Sequence, residues 1–284
     1  MEGDAALVAR HAASQRAFYA AIAPGTPGGV VVSLPGGVQA SMVPAARSRS
    51  LLNAVVYDDP ELLLRQRDGI EEAYGVAGIE AWTVWVKPGD EDVARELEAA
   101  GHRLDGRPRL MAAELGSMDL GAPEPPVLPD REPTWAEVAA ANDAAYGAPP
   151  ERSFVPALRT LRRRGARPWV SWRGEEVASA LATFLHDDDC YVALVATVPA
   201  FRRRGLAIGL LRRALRTLRD EDGAVTTTLE ASAAGAPLYE RLGYRARGDL
   251  SLWERRRGGC GSQHTGARTP EGRRGKRGGR RTAL

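Results

Sequence analysis

Apolar and basic positions separate at helical spacing from Leu206 onward. Ala207, Leu210, Leu211, Ala214, Leu215 and Leu218 share one face, and Arg212, Arg213, Arg216 and Arg219 share the other, which predicts an amphipathic helix. Just upstream, RPWVSWRGEEVASALATFLHDDDCYVALVATV predicts three strands, with turns at 173–176 and 186–189. Downstream, the β-branched run from Ala224 to Ala231 predicts a strand, APLYERLG a short helix closed by Gly243, and YRARGDLSLWER a final strand region. Before these, TWAEVAAANDAAYG reads as a helix and FVPALRTLRRRG as another ending at Gly165. The alternation of helices and strands predicts a mixed α/β fold, with a twisted, mostly antiparallel sheet flanked by helices.

The first 115 residues are less regular, but one segment recurs. AGHRLDGRPRLMAAEL, from Ala100, echoes LGYRARGDLSLWER, from Leu242, at an offset of 142, with Gly101, Arg103 and Gly106 matched to Gly243, Arg245 and Gly248. A short amphipathic helix precedes each copy. The chain therefore reads as a duplication. Between the copies, Pro123, Pro125, Pro126, Pro129 and Pro133 interrupt regular structure. The expected organisation is an N-terminal domain over 1–120, a proline-rich linker over 121–134, a second domain over 135–257 and a basic, disordered tail over 258–284.

Charge sharpens this division. The net charge of +3 averages two unlike parts: nine basic residues against one acidic from Arg256 onward, and 30 basic against 35 acidic before it. The tail is rich in Gly and Arg and poor in apolar residues, so it cannot offset its chain entropy by burial. It could contact nucleic acid, although a solvated tail is the simpler reading. No apolar run is long enough to span a bilayer, and no leader pattern is visible, so the expected location is the cytoplasm. Two cysteines, Cys190 and Cys260, are too few for a disulfide framework, and four scattered histidines show no ligand spacing, so no metal is expected. Asp187, Asp188 and Asp189 read as a solvated turn.

The chemistry concentrates at VATVPAFRRRGLAIGLLRRAL, Val195 to Leu215. A strand that ends, a glycine turn and a helix that begins leave backbone N–H groups without partners at a helix N-terminus, a geometry that favours an anion. Gly205 lets the backbone approach a phosphate closely, and the arginines add charge. The lysine and hydroxyl residue of a nucleotide P-loop are missing.

This stretch resembles the acyl-CoA-binding signature of the GNAT N-acetyltransferase superfamily: Gln or Arg, two residues, Gly, one residue, then Gly or Ala, met here by Arg202, Gly205 and Ala207. Downstream, SAAGAPLYERLGY resembles the family's Asn, six residues, Tyr, three residues, Gly, aromatic, with Ser232 in place of the Asn. The resemblance spans roughly Val127 to Arg255 and implies a tandem GNAT whose N-terminal half is degenerate. It implies that loop residues Arg202, Arg203, Arg204, Gly205, Leu206 and Ala207 hold the pyrophosphate of acetyl-CoA. It also implies that the strand Val195, Ala196, Thr197 and Val198 splays to bind the pantetheine arm and acyl carbonyl. Ser232 falls among the cofactor-binding positions, and Tyr239 falls on the general acid.

In the N-terminal copy Leu97 stands where Tyr239 stands. Amides near Thr197 and Val198 are the expected oxyanion donors, and Glu230, near the end of the flanking strand, is the candidate base, acting through water. The implied reaction is acetyl transfer to a primary amine, on a small molecule or a peptide, by a monomer or homodimer. Two alternatives are a catalytically silent acyl-CoA-binding or scaffold protein and a nucleic-acid-associated protein drawn by its basic tail.

Overall fold

The computed structural model describes residues 3–121, 131–161 and 165–257. The first half runs α1 (Asp4–Ile22), β1 (Val30–Leu34), β2 (Val38–Met42), β3 (Ala54–Val56), α2 (Pro60–Val76), β4 (Ala81–Val86), α3 (Glu91–Ala99), β5 (Arg103–Gly106) and β6 (Arg109–Glu114). The second runs α4 (Trp135–Tyr146), α5 (Val155–Leu158), β7 (Ala166–Arg173), β8 (Glu176–His186), β9 (Asp189–Thr197), α6 (Leu206–Glu221), β10 (Thr226–Ala231), α7 (Ala236–Leu242), β11 (Arg245–Asp249) and β12 (Ser251–Arg256). The strands form two six-stranded mixed sheets, in the orders β1-β2-β3-β4-β12-β5 and β11-β6-β10-β9-β8-β7.

Local sequence explains the boundaries in the second half. Thr134 and Glu137 close a reciprocal capping box at the start of α4, and Gly147, at φ 61°, ends that helix in the left-handed region. In α6, Leu211, Ala214, Leu215 and Leu218 are buried, and each leucine contributes about 1.5–3 kcal/mol of burial. The three strands from Ala166 to Thr197 and the short helix closed by Gly243 fall where the pattern placed them. The helix expected to run to Gly165 does not: α5 ends at Leu158, two residues past its Pro156, and residues 162–164 lie outside the described residues.

The duplicated segments are the two closing strand pairs, and they exchange partners. β6, from the first half, lies in the second sheet between β10 and β11; β12, from the second half, lies in the first sheet between β4 and β5. The two crossings meet where the Leu250 amide donates to the Pro108 carbonyl at 2.9 Å. The proline-rich stretch divides the chain in sequence, but sheet membership crosses the division expected at 120 and 135. Each sheet draws its penultimate strand from the other half: the chain passes between sheets through Arg107 and Pro108 after β5, and through Leu250 after β11.

Helix α1 joins the halves from one face. It packs across β8, β9, β10 and β6, and its Phe18, Tyr19 and Ile22 share a core with Trp135, Phe154, Leu158 and Phe184. Helices α6 and α7 cover the opposite face over Met111, Leu181, Val192 and Leu229.

Candidate active site

β9 and β10 run parallel and pair only from Asp189–Thr226 to Val192–Leu229. Beyond this point Ala193 to Thr197 keep β8 on one side and, among the described residues, pair with no strand on the other, so the two strands part. The cause is a bulge: the β8–β9 register slips between Ala180 and Ala182, opposite Leu194, which sits at φ 55° in the left-handed region. A bulge bends its strand and re-aims the backbone that follows.

The open edge can be assigned by alternation. Val198 donates its amide to the Ala178 carbonyl at 3.0 Å, inside the ladder. Its neighbour Thr197 therefore directs its own N–H and C=O to the open side. Of the two expected oxyanion donors, Thr197 directs its N–H to the open edge, whereas the Val198 N–H is engaged within the ladder. The Ala196 carbonyl is likewise held, accepting from Ser179 Oγ at 2.8 Å, and Val195 packs its half-buried side chain on the α6 face.

At the start of α6 the N-cap is Gly205, at φ 74°, and no side chain accepts from the first-turn amides. Leu206 is buried beneath the turn and Ala207 is half-buried. Arg203 precedes it at φ 63°, so the turn is a short concave run of backbone with amides free at a helix N-terminus. A Cβ on Gly205 would find nothing nearer than Ile208 at 4.0 Å, so the space over the turn is open. Arg203 and Arg204 are exposed there, the latter over the Phe201 ring.

Arg202 is used differently: its guanidinium donates to the Thr197 carbonyl at 3.3 Å and to the Ala145 carbonyl at 2.6 Å. It ties the loop to the splayed strand and to the end of α4 rather than facing the amides. Ser232 is exposed; its Oγ accepts the Gly235 amide at 3.1 Å and turns the chain into α7.

Tyr239 is buried on α7, edge-on to Tyr244. Burial, then the neighbouring Tyr146 and the charge of Glu230, push its phenol well above the usual tyrosine value, so it keeps its proton. Glu230, the first residue of β10 past its pairing with β9, sits where the strands part. Its carboxylate accepts from Tyr191 Oη at 2.8 Å, His11 Nε2 at 2.7 Å and Gln15 Nε2 at 2.8 Å. His11 and Gln15 are the residues that sequence reading missed. They lie one helical turn apart on α1, with Leu7, Ser14 and Phe18 on the buried stripe, and the visible signal was polar residues at 11, 14 and 15 on a face that also carries Leu7, Phe18 and Ile22.

Of the aspartate run, Asp187 is an exposed turn residue as expected, but Asp188 and Asp189 are engaged. Asp189 is buried and accepts from Ser14, Thr226 and Thr228 hydroxyls at 2.6–2.7 Å, and Asp188 pairs with Arg10. Among the described residues no three His, Cys, Asp or Glu side chains converge as a metal site. No helix among them is long and apolar enough to cross a membrane.

The corresponding turn of the first half is closed to an anion. Between β3 and α2 the amides of Asp58 and Asp59 both donate to the Gly36 carbonyl, at 3.1 and 3.0 Å, and the Asp59 carboxylate caps the helix by accepting from Leu62 N–H. Asp58 pairs with Arg16. The free amides and arginines of the second half are replaced by engaged amides and two carboxylates, and Leu97 is buried in apolar surroundings.

Residues 156–252 match the family model of the acetyltransferase (GNAT) domain. No curated protein matches in sequence. Among solved structures, the GCN5-related N-acetyltransferase from Kribbella flavida is similar at a TM-score of 0.61, with 22% identity over 88% of this chain and 96% of that one. A conserved protein of unknown function from Staphylococcus epidermidis ATCC 12228 is similar at 0.57, with 11% identity over 80% and 94%. The likeness in fold thus extends over both halves, while the family match lies on the half that carries the parted strands and the glycine turn. With two mixed sheets flanked by helices, the chain has the fold of two GNAT-like halves, and its residues 156–252 match the GNAT acetyltransferase domain.

Proposed function

We propose that the second half transfers an acetyl group from acetyl-CoA to a primary amine of a small molecule or peptide. The observation that carries this reading is the pairing, within one half, of an open β9 edge with an uncapped left-handed glycine turn, set against a first half in which the same turn is sealed by carboxylates. The residues present fit acetyl-CoA. Free amides from Arg203 to Ala207, with the Arg203 and Arg204 side chains, would hold the pyrophosphate, and the open edge from Ala193 to Thr197 would hold the pantetheine amides.

Acetyl-CoA supplies an activated acetyl group as a thioester. The Thr197 N–H faces the side on which negative charge develops at the carbonyl oxygen. Glu230 takes a proton from the attacking amine, which has a reference pKa near 10.4 and is otherwise mostly protonated. Tyr239 offers its phenolic proton to the departing sulfur. Because the phenol is held above its ordinary value, it contributes chiefly as a hydrogen-bond donor to the developing thiolate.

The test is a calorimetric titration of acetyl-CoA into the intact protein and into Gly205→Glu, followed by thiol release with a panel of primary amines. One site per chain, lost in the variant, and amine-dependent thiol release support the reading; absence of binding to the intact protein overturns it.

A further inference from the structure

Glu230 does not stand alone at the parting of the strands. Its Oε1 accepts from His11 Nε2 at 2.7 Å and Gln15 Nε2 at 2.8 Å, and the single Tyr191 hydroxyl proton is shared between Oε2 at 2.8 Å and Oε1 at 3.0 Å; among the described residues Oε2 has no second donor. His11, Gln15 and Tyr191 are all buried, and the Glu230 side chain is 10% exposed. A carboxylate so enclosed remains ionised only where donors replace water. Two of those donors come from α1, which precedes the sheet of the other half. That helix is fixed on both sides of them: Ser14 donates to Asp189 and Arg10 pairs with Asp188 in the second half, and Arg16 pairs with Asp58 at the sealed turn of the first.

We propose that His11 and Gln15 are positioning residues for acetyl transfer, saturating Oε1 of Glu230 so that Oε2 is the atom that receives the amine proton. The inference rests on the acetyl-transfer reading above. In the step itself the amine N–H proton passes to Oε2 as the nitrogen–carbon bond forms, and the carbon–sulfur bond breaks with its electron pair leaving on sulfur. The working site is then composite. Its base is held by a helix from the start of the chain, which gives the first half a role although its own phosphate turn is closed.

The titratable groups facing Glu230 are His11 and Tyr19 from α1, Tyr191 from β9 and Tyr239 from α7. Hydrogen bonds to the charged form of a carboxyl favour it, so loss of the His11 donor removes support from the Glu230 carboxylate. Full-length protein carrying His11→Leu is compared with His11→Gln, which keeps an N–H donor at a similar reach. Thiol release from acetyl-CoA is followed with n-butylamine as the acceptor probe, and the Glu230 carboxyl carbon is titrated by NMR, assigned through Glu230→Gln.

Expected in His11→Leu are a kcat lower by about tenfold or more, a KM for acetyl-CoA within about twofold of the parent, and an acid limb moved to higher pH by about one unit, with most of the rate restored in His11→Gln. A Glu230 midpoint that stays in place in His11→Leu, or equal losses in both variants, overturns the positioning role. Absence of thiol release from the parent protein overturns the transfer reading instead, and the carboxyl titration still decides whether His11 sets that carboxylate.

Discussion

Leu110 of β6 and Glu230 of β10 face one another across an antiparallel ladder, although they belong to opposite copies of the duplicated unit. The strand that flanks the candidate base is thus supplied by the half that does not carry the glycine turn. Because β12 makes the reciprocal crossing, neither half closes its own sheet. Residues 1–121 and 131–284 produced separately are expected to lack cooperative unfolding, and the two produced together to associate and recover it. Circular dichroism and gel filtration of the separate and mixed fragments check this, since each fragment alone exposes an unpaired ladder between two strands.

Tyr239→Phe removes the hydroxyl and leaves the ring against Tyr244. The expected result is a kcat lower by about 10- to 100-fold, corresponding to one hydrogen bond to a charged group, with acetyl-CoA affinity nearly unchanged. Steady-state kinetics beside calorimetry separate the two quantities.

The arginines of the loop divide by what they touch. Arg202→Ala breaks the ties to Thr197 and Ala145 carbonyls and is expected to lower stability by about 1 kcal/mol. Arg203→Ala with Arg204→Ala leaves those ties intact and is expected to weaken acetyl-CoA binding and flatten its salt dependence. Thermal unfolding and calorimetry at two ionic strengths distinguish the two outcomes.

His102 gives a pH signature to the first half. It is buried beside Trp82, neither ring nitrogen has a partner among the described residues, and burial together with the Arg255 guanidinium pushes it down to about 4. The unfolded chain takes up this proton near 6.5 while the folded chain does not until about 4. Stability from the neutral ring is therefore complete above about 6.5 and is lost progressively as pH falls towards 4, by roughly 2–3 kcal/mol. His102→Phe is expected to flatten this part of the pH profile, because the second half carries an aromatic, Tyr244, at the matching position. Denaturant unfolding of both proteins between pH 4 and 7 measures the difference.

The sequence by itself determined most elements of the second half and the position of the glycine turn at the start of α6. Helical and strand periodicities are local, and so are the two motifs around Arg202 and Tyr239: a glycine that adopts φ 74° without Cβ strain and a tyrosine one turn into a short helix are legible without knowing what packs against them. The recurrence at an offset of 142 revealed the duplication for the same reason. What only the tertiary structure decided is everything that pairs residues far apart in the chain. Spacing cannot show that β6 and β12 trade sheets, because either strand satisfies the same ladder. Nor can it show that Val198 is engaged by Ala178 while Thr197 faces outward, that Arg202 braces the loop, or that Asp189 is buried under three hydroxyls. His11 is the clearest case: within α1 it is one of three polar residues, with Ser14 and Gln15, on the buried stripe, and it meets Glu230 only because the fold carries that stripe to a residue 219 positions away.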